Sequence, residues 1–281
     1  MATVGLIPRV AKAEAANLCR EMSAWLAERG HVALVEADAG VEGVSLAEGA
    51  AIAERADLIV VLGGDGTLIH AAGLCGQREV PILGVNMGKL GFLTEVPRER
   101  AFELLEKALA GELSVSRRLM LDVEVRHGDQ VLLAGAALND AVISKNAVSR
   151  LATLEVWVDG KDAATYEADG LIVATPTGST AYSLSANGPI LYPSVETLLL
   201  TPICAHVLTQ RPVVLPASLP IRIRLASPSE MFVTIDGTRG RPLELGQEVW
   251  VRTAAHRTLL LRNPDIDPFA ILRQKLRWGA R

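Results

Sequence analysis

Asp57-Leu-Ile-Val-Val-Leu-Gly-Gly-Asp-Gly-Thr-Leu-Ile-His-Ala-Ala-Gly-Leu-Cys75 is the stretch around which the rest of the chain is arranged. Leu58 to Leu62 is an unbroken aliphatic run rich in β-branched residues, the pattern of a strand buried on both faces. Gly63, Gly64 and Gly66 follow, and without a Cβ they permit backbone angles that other residues avoid. Thr67 stands where it could cap a helix running on through Leu68 and Ala71. Strand, glycine turn and helix start bring free N–H groups and a helix dipole together, the geometry that receives a phosphate. Asp65 breaks that pattern. A carboxylate in a phosphate cradle repels its ligand unless it meets a metal or takes a proton from an attacking hydroxyl. The residues therefore point to phosphoryl transfer onto an alcohol; the competing reading is an ordinary strand-to-helix turn, in which Gly and Asp are common.

Working outward, the first part of the chain alternates strands and helices. Thr3 to Ile7 reads as a strand, and Ala13 to Glu28 places Ala15, Leu18, Cys19, Met22, Trp25 and Leu26 at helical spacing before Gly30. His31 to Val35 is a second strand, Ser45 to Arg55 a helix, Val80 to Val85 a further strand, and Arg98 to Ala110 a helix ended by Gly111. Such alternation predicts a parallel sheet with helices on its faces. Ligands bind at the carboxyl ends of such strands, where the Gly-Gly-Asp-Gly-Thr turn lies. Asn86-Met-Gly-Lys-Leu-Gly-Phe-Leu-Thr94 is a second glycine-bearing turn after a strand, and Asn86 is expected either to face the same cleft or simply to form the turn.

Near Ser114 the character changes. Short strands, among them Leu121–Arg126, Val131–Leu138, Leu154–Val158, Ile221–Leu225, Met231–Ile235 and Val249–Arg252, are separated by Gly-Asp, Asp-Gly and Pro-rich turns. Gly128-Asp129 and Asp159-Gly160 carry hairpin signals. The expected organisation is an α/β domain with a parallel sheet over 1–113 and an all-β, two-sheet, sandwich-like domain over 114–262. A C-terminal segment, 263–281, then packs back on the first domain. Asp267 and Pro268 form a helix-start signature there, ahead of Phe269, Ile271, Leu272 and Leu276.

Two stretches in the β-rich part carry chemistry. In Ala137-Leu-Asn-Asp-Ala-Val-Ile143, Asn139 and Asp140 interrupt an apolar strand, and adjacent strand residues point to opposite faces. One of the pair should lie near the core, where a polar group needs a partner; the stretch is either a ligand site or a turn at a strand end. In Asp169-Gly-Leu-Ile-Val-Ala-Thr-Pro-Thr-Gly-Ser-Thr-Ala-Tyr-Ser-Leu-Ser185, a buried strand over Leu171–Ala174 runs into Thr175 to Thr180, with a helix opening at Ala181. Hydroxyls and backbone donors gather there without a positive charge, which suits a neutral, hydrogen-bonded ligand such as a nucleoside, and Tyr182 is available to pack against a ring.

Composition excludes several classes. The 281 residues are 49% hydrophobic, enough for one large or two ordinary domains with ample core. A net charge of −4 and 4% aromatics argue against a nucleic-acid partner. Cys19, Cys75 and Cys204 lie far apart without CxxC spacing, so neither a disulfide framework nor a zinc site is expected, but three buried thiols in a reducing compartment. Arg9 and Lys12 follow rather than precede the first apolar residues, against a signal peptide, and the apolar run at Leu198–Leu208 is too short for a membrane span. A cytoplasmic protein is expected.

Taken in order, Gly63-Gly-Asp-Gly-Thr67, Gly84-Val-Asn-Met-Gly-Lys-Leu-Gly-Phe-Leu-Thr94, Asn139-Asp140, Asp169-Gly and Thr175-Pro-Thr-Gly-Ser-Thr-Ala-Tyr-Ser183 resemble the NAD kinase family over roughly residues 57–240. Gly-Gly-Asp-Gly-Thr alone is shared with diacylglycerol and sphingosine kinases; the Thr-Pro-Thr-Gly-Ser-Thr-Ala-Tyr run is far more specific. The resemblance implies transfer of the γ-phosphoryl of ATP to the 2′-hydroxyl of the adenosine ribose of NAD, with a divalent metal ion, magnesium being the expected one. It implies Asp65 as base or orienter, with Gly63, Gly64, Gly66 and Thr67 at phosphate. Asn139 and Asp140 would hold ribose and adenine, and Asp169 would face the nicotinamide end. Thr180, Ala181, Tyr182 and Ser185, with Ser183 and Leu184 between them, would line the nucleoside pocket, and His70 and Arg150 are weaker candidates. It also implies a homo-oligomer, dimer or tetramer; metal ligands are not legible. Three positions depart from the family pattern: Asn187 where a glycine is frequent, Asp140 where Glu is common, and Thr238 where Gln is frequent. The alternatives are a lipid kinase sharing the first turn, which would want a membrane-facing surface, and a non-catalytic NAD-binding sensor, which would not need Asp65.

Overall fold

The structure, a computed structural model, describes residues 1–10, 12–88, 91–145, 151–207 and 209–277. The chain forms two compact units, Met1–Arg117 with Thr258–Arg281, and Arg118–Arg257.

In the first unit, β1 (Thr3–Pro8), α1 (Ala13–Glu28), β2 (Val32–Glu36), β3 (Leu46–Ala47), α2 (Gly49–Arg55), β4 (Leu58–Gly63) and α3 (Asp65–Cys75) follow in order. Next come β5 (Pro81–Asn86), β6 (Val96–Pro97) and α4 (Ala101–Leu109). The strands are parallel in the order β5-β4-β1-β2-β3. All six residues of β4 are buried. Leu58, Val60 and Leu62 face a core shared with the apolar stripe of α1 (Ala15, Leu18, Cys19, Met22, Leu26) and with Leu104 and Leu105 of α4. A strand covered on both faces has no solvent side to alternate with, which is why its sequence is continuously aliphatic.

The second unit is antiparallel. Its strands are β7 (Val115–His127), β8 (Gln130–Ala137), β9 (Asp140–Lys145), β10 (Ala152–Val158), β11 (Lys161–Ala168) and β12 (Gly170–Ala174). The four-residue α5 (Tyr182–Ser185) follows, then β13 (Thr197–Ile203), β14 (Val213–Pro216), β15 (Ile221–Leu225), β16 (Met231–Ile235), β17 (Arg239–Leu243) and β18 (Glu248–Leu261). One sheet runs β14-β13-β12-β9-β16-β17; β10, β11, β15, β7, β8 and the first part of β18 form the other. The two enclose one core, to which Ala141 and Ile143 of β9, Leu171 and Val173 of β12, and Leu154 and Val156 of β10 contribute. Intervening Val142 and Ile172 point the other way, into a smaller cluster completed by Ala186 and Leu191. Period-two alternation thus buries both faces of this sheet. Gly128-Asp129 and Asp159-Gly160 are the two-residue links of β7–β8 and β10–β11, with Asp159, Gly128 and Gly160 at positive φ.

The last turn-and-helix, α6 (Pro268–Leu276), belongs to the first unit. Asp267 caps it, accepting from the Phe269 N–H at 3.0 Å, and Ile271 is buried. Before it, Leu259 and Leu260 pair in parallel with Pro81 and Ile82 of β5.

Several local expectations are corrected. The predicted helix 45–55 begins with the two-residue β3, and only Gly49–Arg55 is helical. The predicted helix 98–110 opens with a 3₁₀ turn, Arg98–Arg100, and the helix expected to open at Ala181 is the short α5, with Ala181 as its N-cap residue, preceded by a 3₁₀ turn at Gly178–Thr180. Cys19 and Cys75 are buried, and burial pushes their thiols up to about 12 and about 11; Cys204 is exposed, at positive φ. No helix among the described residues is long and apolar enough to cross a membrane.

Candidate active site

The first unit carries the acidic turn at the carboxyl end of β4. The turn differs from its sequence reading in two ways. Helix α3 starts at Asp65 with Gly64 as its N-cap residue, so Thr67 lies inside the first turn and caps nothing. None of Gly63, Gly64 and Gly66 has a positive φ, and Gly64 is extended at φ −131°. What Gly63 supplies is space: a Cβ there would lie 2.4 Å from Thr67 Oγ1. At Gly64 and Gly66 a Cβ would meet nothing within 4 Å among the described residues beyond its own chain neighbours and helix backbone, so packing there does not demand glycine.

Asp65 is half-buried and firmly held. Its Oδ1 accepts from Leu93 N (3.0 Å), Thr94 N (3.1 Å) and Thr94 Oγ1 (3.2 Å), whereas among the described residues Oδ2 accepts from Phe92 N alone (2.8 Å). The donors all come from the loop after β5. Gly91 opens that loop because a Cβ there would sit 2.0 Å from Asp65 Oδ1. Asn86, buried at the end of β5, donates to Thr94 Oγ1 at 2.9 Å and accepts from Gly88 N at 2.7 Å. It thus forms the turn, as one of its two sequence readings has it, acts through Thr94 on the carboxylate, and also borders a cavity. A cavity of about 370 Å³ opens here, lined by Asn86, Met87 and Gly88, with Glu14 and Arg98. His70 points elsewhere: its Nε2 lies 2.7 Å from Oε1 of the buried Glu36 at the end of β2.

The second unit gathers three strand ends. Asp140 begins β9 opposite Ala174, the last residue of β12, and Ala141 pairs with Ile235, the last of β16. Strand β8 stops at Ala137, so Leu138 and Asn139 form the link, and of the Asn139–Asp140 pair it is Asp140 that is buried. Thr175 ties the neighbouring loop to this link: its N–H donates to Asn139 O (2.8 Å) and its hydroxyl to Leu138 O (2.6 Å). Gly178 packs directly on Asn139, with room for no Cβ, since one would lie 2.1 Å from the Asn139 carbonyl oxygen.

Asp236, which sequence reading did not single out as a site residue, organises this corner. From a turn at φ +49° its carboxylate accepts from Leu138 N (2.7 Å), Asn139 N (2.8 Å) and Asp140 N (3.1 Å). Burial pushes its carboxyl up in pKa, and those amides pull it back. Asp140 is 6% exposed, and no donor among the described residues reaches its carboxylate. Burial first, and the charge of Asp236 second, push it up to about 7. A buried acid without a donor is costly to the protein alone, and it is the clearest demand for a ligand in this unit. Thr177 is a second: its buried hydroxyl has no hydrogen-bond partner among the described residues. The sequence signal for Thr177 was only its place in the hydroxyl-rich run.

The remaining candidates divide. Thr180, Ala181 and Leu184 are half-buried, while Tyr182, 45% exposed, and Ser185 face outward from α5. Ser183 turns inward, and its hydroxyl is 2.8 Å from Thr201 Oγ1 in β13, so it serves the fold. Asn187 has φ +64°, a conformation that Asn tolerates and Gly favours, which accounts for the departure noted at this position. Asp169 is ion-paired with Lys145 Nζ at 2.8 Å, at the opposite end of β12 from Thr175. At about 3.3 Å per residue, β12 separates the two by roughly 20 Å. Arg150 lies outside the described residues. Among the described residues no group of three or more His, Cys, Asp and Glu could hold a metal ion.

Comparison with known proteins gives a consistent result over the whole chain. Residues 4–113 match the family model for the ATP-NAD kinase N-terminal domain, and residues 138–263 that for the C-terminal domain. The chain is 48% identical over 286 residues to the NAD kinase of Geobacter metallireducens, covering all of both chains. It is 43% identical to the NAD kinase of Solibacter usitatus over 285 residues, with 99% and 98% covered. Among solved structures, yeast NADH kinase complexed with NADH superposes with a TM-score of 0.93 at 26% identity, covering 100% of this chain and 89% of that one. An Archaeoglobus fulgidus NAD kinase in complex with ATP shares the fold, with a TM-score of 0.76 at 24% identity, covering 98% of each chain. With family models covering most of its length and relatives this similar from end to end, the chain belongs to the NAD kinase family.

Proposed function

We infer that this protein transfers the γ-phosphoryl group of ATP to the 2′-hydroxyl of the adenosine ribose of NAD, giving NADP. The observation that carries the reading is Asp65, a carboxylate locked by three backbone amides at the start of α3, beside two glycines with open space above them. Among the described residues, Oδ1 accepts three hydrogen bonds and Oδ2 one, which leaves Oδ2 the oxygen with a lone pair to offer. Oδ2 is therefore the atom that orients the ribose hydroxyl and takes its proton as the new P–O bond forms and the bond to the ADP oxygen breaks. Positioning and electrostatics supply most of the remaining acceleration in phosphoryl transfer.

In the second unit, Asp140 accepts hydrogen bonds from the adenosine part of NAD, and Asn139 and Thr177 complete its polar contacts. Thr180, Ala181, Tyr182, Leu184 and Ser185 border the nucleoside, with Tyr182 packing on a ring. Asp169 lies about one strand length away, where the nicotinamide end of a dinucleotide would reach. Phosphates approach the open amides of Gly64 and Gly66, and the cavity beside Asn86 leaves room for part of the donor nucleotide. Gly63 and Thr67 shape that turn.

The donor set suits a magnesium ion carried on the triphosphate better than a protein cage, since magnesium usually keeps several waters and substrate phosphates and needs only one or two carboxylates. When bound it would neutralise phosphate charge, held chiefly by the substrate phosphates and water. A cytoplasmic homo-oligomer is part of the same reading, and light scattering tests its assembly. The second unit's match to the C-terminal family domain favours this function over a lipid kinase, which shares only the acidic turn. Incubating the protein with NAD, ATP and magnesium should yield NADP; phosphorylation of a lipid alcohol without NADP would defeat the reading.

A further inference from the structure

Among the described residues, the loop from Gly91 to Glu95 supplies the donors that fix Asp65, so the placement of the carboxylate depends on the placement of the loop. Thr94 is braced by Asn86, which donates to its Oγ1. The next and last residue of the loop is braced from far along the chain. Glu95 is 4% exposed, and its Oε2 accepts from Arg262 Nε at 2.8 Å and from Asn263 N at 3.4 Å. Asn263 returns a bond, its Nδ2 donating to Glu95 O at 3.3 Å. Arg262 is itself anchored, its N–H donating to Ser114 O at 2.9 Å, just after Leu259 and Leu260 join the sheet beside β5. Lys275 of α6 adds a contact 5.9 Å above the ring of Phe92.

Phe92, Leu93 and Thr94 present their amides to Asp65, and Glu95 is the next residue in the chain. Only the φ and ψ of Thr94 separate the Thr94 amide from the peptide unit of Glu95, so fixing Glu95 narrows the orientations open to that amide. We propose that Glu95, clamped by Arg262 and by Asn263 of the C-terminal segment, is a positioning residue that sets the Asp65 carboxylate against the acceptor hydroxyl. The C-terminal segment thereby bears on the reaction as well as on stability, though none of its residues is assigned a contact with substrate. This inference rests on the reading of Asp65 as proton acceptor.

The test is a cycle of variants: Glu95→Ala, Arg262→Ala and Arg262→Lys, each in the parent protein and in Asp65→Asn. A misplacement of about 1 Å can cost roughly 100-fold in rate, so Glu95→Ala and Arg262→Ala should each lower kcat about tenfold or more. The KM for NAD and ATP, and the NAD affinity by calorimetry, should stay within about twofold, because no substrate contact is lost. Arg262→Lys, which keeps a cationic donor for Glu95, should recover most of the loss. In the Asp65→Asn background the same substitutions should cost less than about twofold, since the group they position is already disabled. Equal losses in both backgrounds, a KM rise matching the kcat loss, or an unchanged kcat would each overturn the proposal. Should Glu95→Ala prove insoluble, the two Arg262 variants decide alone. An Asp65→Asn variant with normal kcat would defeat the reading of Asp65 itself; an impaired one alongside normal Glu95 and Arg262 variants defeats only the clamp.

Discussion

Replacing Asp140 by asparagine should make the free protein more stable above neutral pH while loosening its hold on NAD. The carboxyl is 6% exposed, no donor among the described residues reaches it, and burial with the nearby charge of Asp236 pushes it up to about 7. In an unfolded chain the same group titrates near 3.9. A folded value above the unfolded one means that the native state holds the proton more tightly. The group's contribution is fully present below about pH 4 and is lost as pH rises through about 7. Three units at 1.36 kcal/mol each set an upper limit of about 4 kcal/mol. A buried asparagine amide without partners would give back about 1–3 kcal/mol, leaving a net gain of roughly 1–3 kcal/mol. At about 2 °C per kcal/mol for a chain of this size, the Tm of Asp140→Asn should exceed the parent's by a few degrees at pH 8. The difference should shrink or reverse at pH 5. Scanning calorimetry at several pH values without nucleotide measures it. Parallel melting curves for parent and variant between pH 5 and 8 would refute the account of a donorless buried acid. Losing a charged acceptor costs about 1.5–3 kcal/mol of binding, so the KM for NAD should rise at least about tenfold. If the bound nucleotide donates to the charged carboxylate, NAD binding near pH 6.5 should release up to about one proton. Calorimetry in buffers of different ionisation enthalpy reads that number directly.

Asp65→Asn keeps size and shape but cannot take the hydroxyl proton, so kcat should fall by about two orders of magnitude while NAD still binds in calorimetry; a near-parental kcat would reduce Asp65 to a shaper of its turn. Thr177→Val removes a buried hydroxyl that has no partner among the described residues; Tm should hold or rise by an amount worth about 1 kcal/mol, and the KM for NAD should increase, whereas a lower Tm with unchanged KM would make Thr177 structural. Truncation after Asn263 removes α6, with its buried Ile271, and should lower Tm or solubility; unchanged melting and activity would show that the helix is dispensable.

Much of the architecture was legible from local pattern. The aliphatic run of β4 announced a strand covered on both faces, and the two Asp/Gly hairpin turns announced antiparallel pairing. Asp267-Pro268 announced the start of α6. Each of these signals acts over a few residues, because periodicity, turn chemistry and capping are properties of adjacent peptide units. The acidic turn was legible for the same reason. Its inner workings were not: Thr67 reads as a cap, yet Gly64 takes that place, and the hold on Asp65 comes from amides 27 to 29 residues away. In the second unit, nothing local to Asn139-Asp140 indicates that Asp236, 96 residues further on, grips its backbone, or that Ser183 spends its hydroxyl on Thr201 while its neighbours Tyr182 and Ser185 face outward. The clamp between Glu95 and Arg262 spans 167 residues. The sequence by itself determined which segments are strands, where the glycine turns fall and which acids stand out of place. Tertiary structure decided which strand ends meet, which acids are satisfied by backbone amides and which, like Asp140, are left without a donor, because a buried polar group takes its partner from whatever the sheet register brings within about 3 Å.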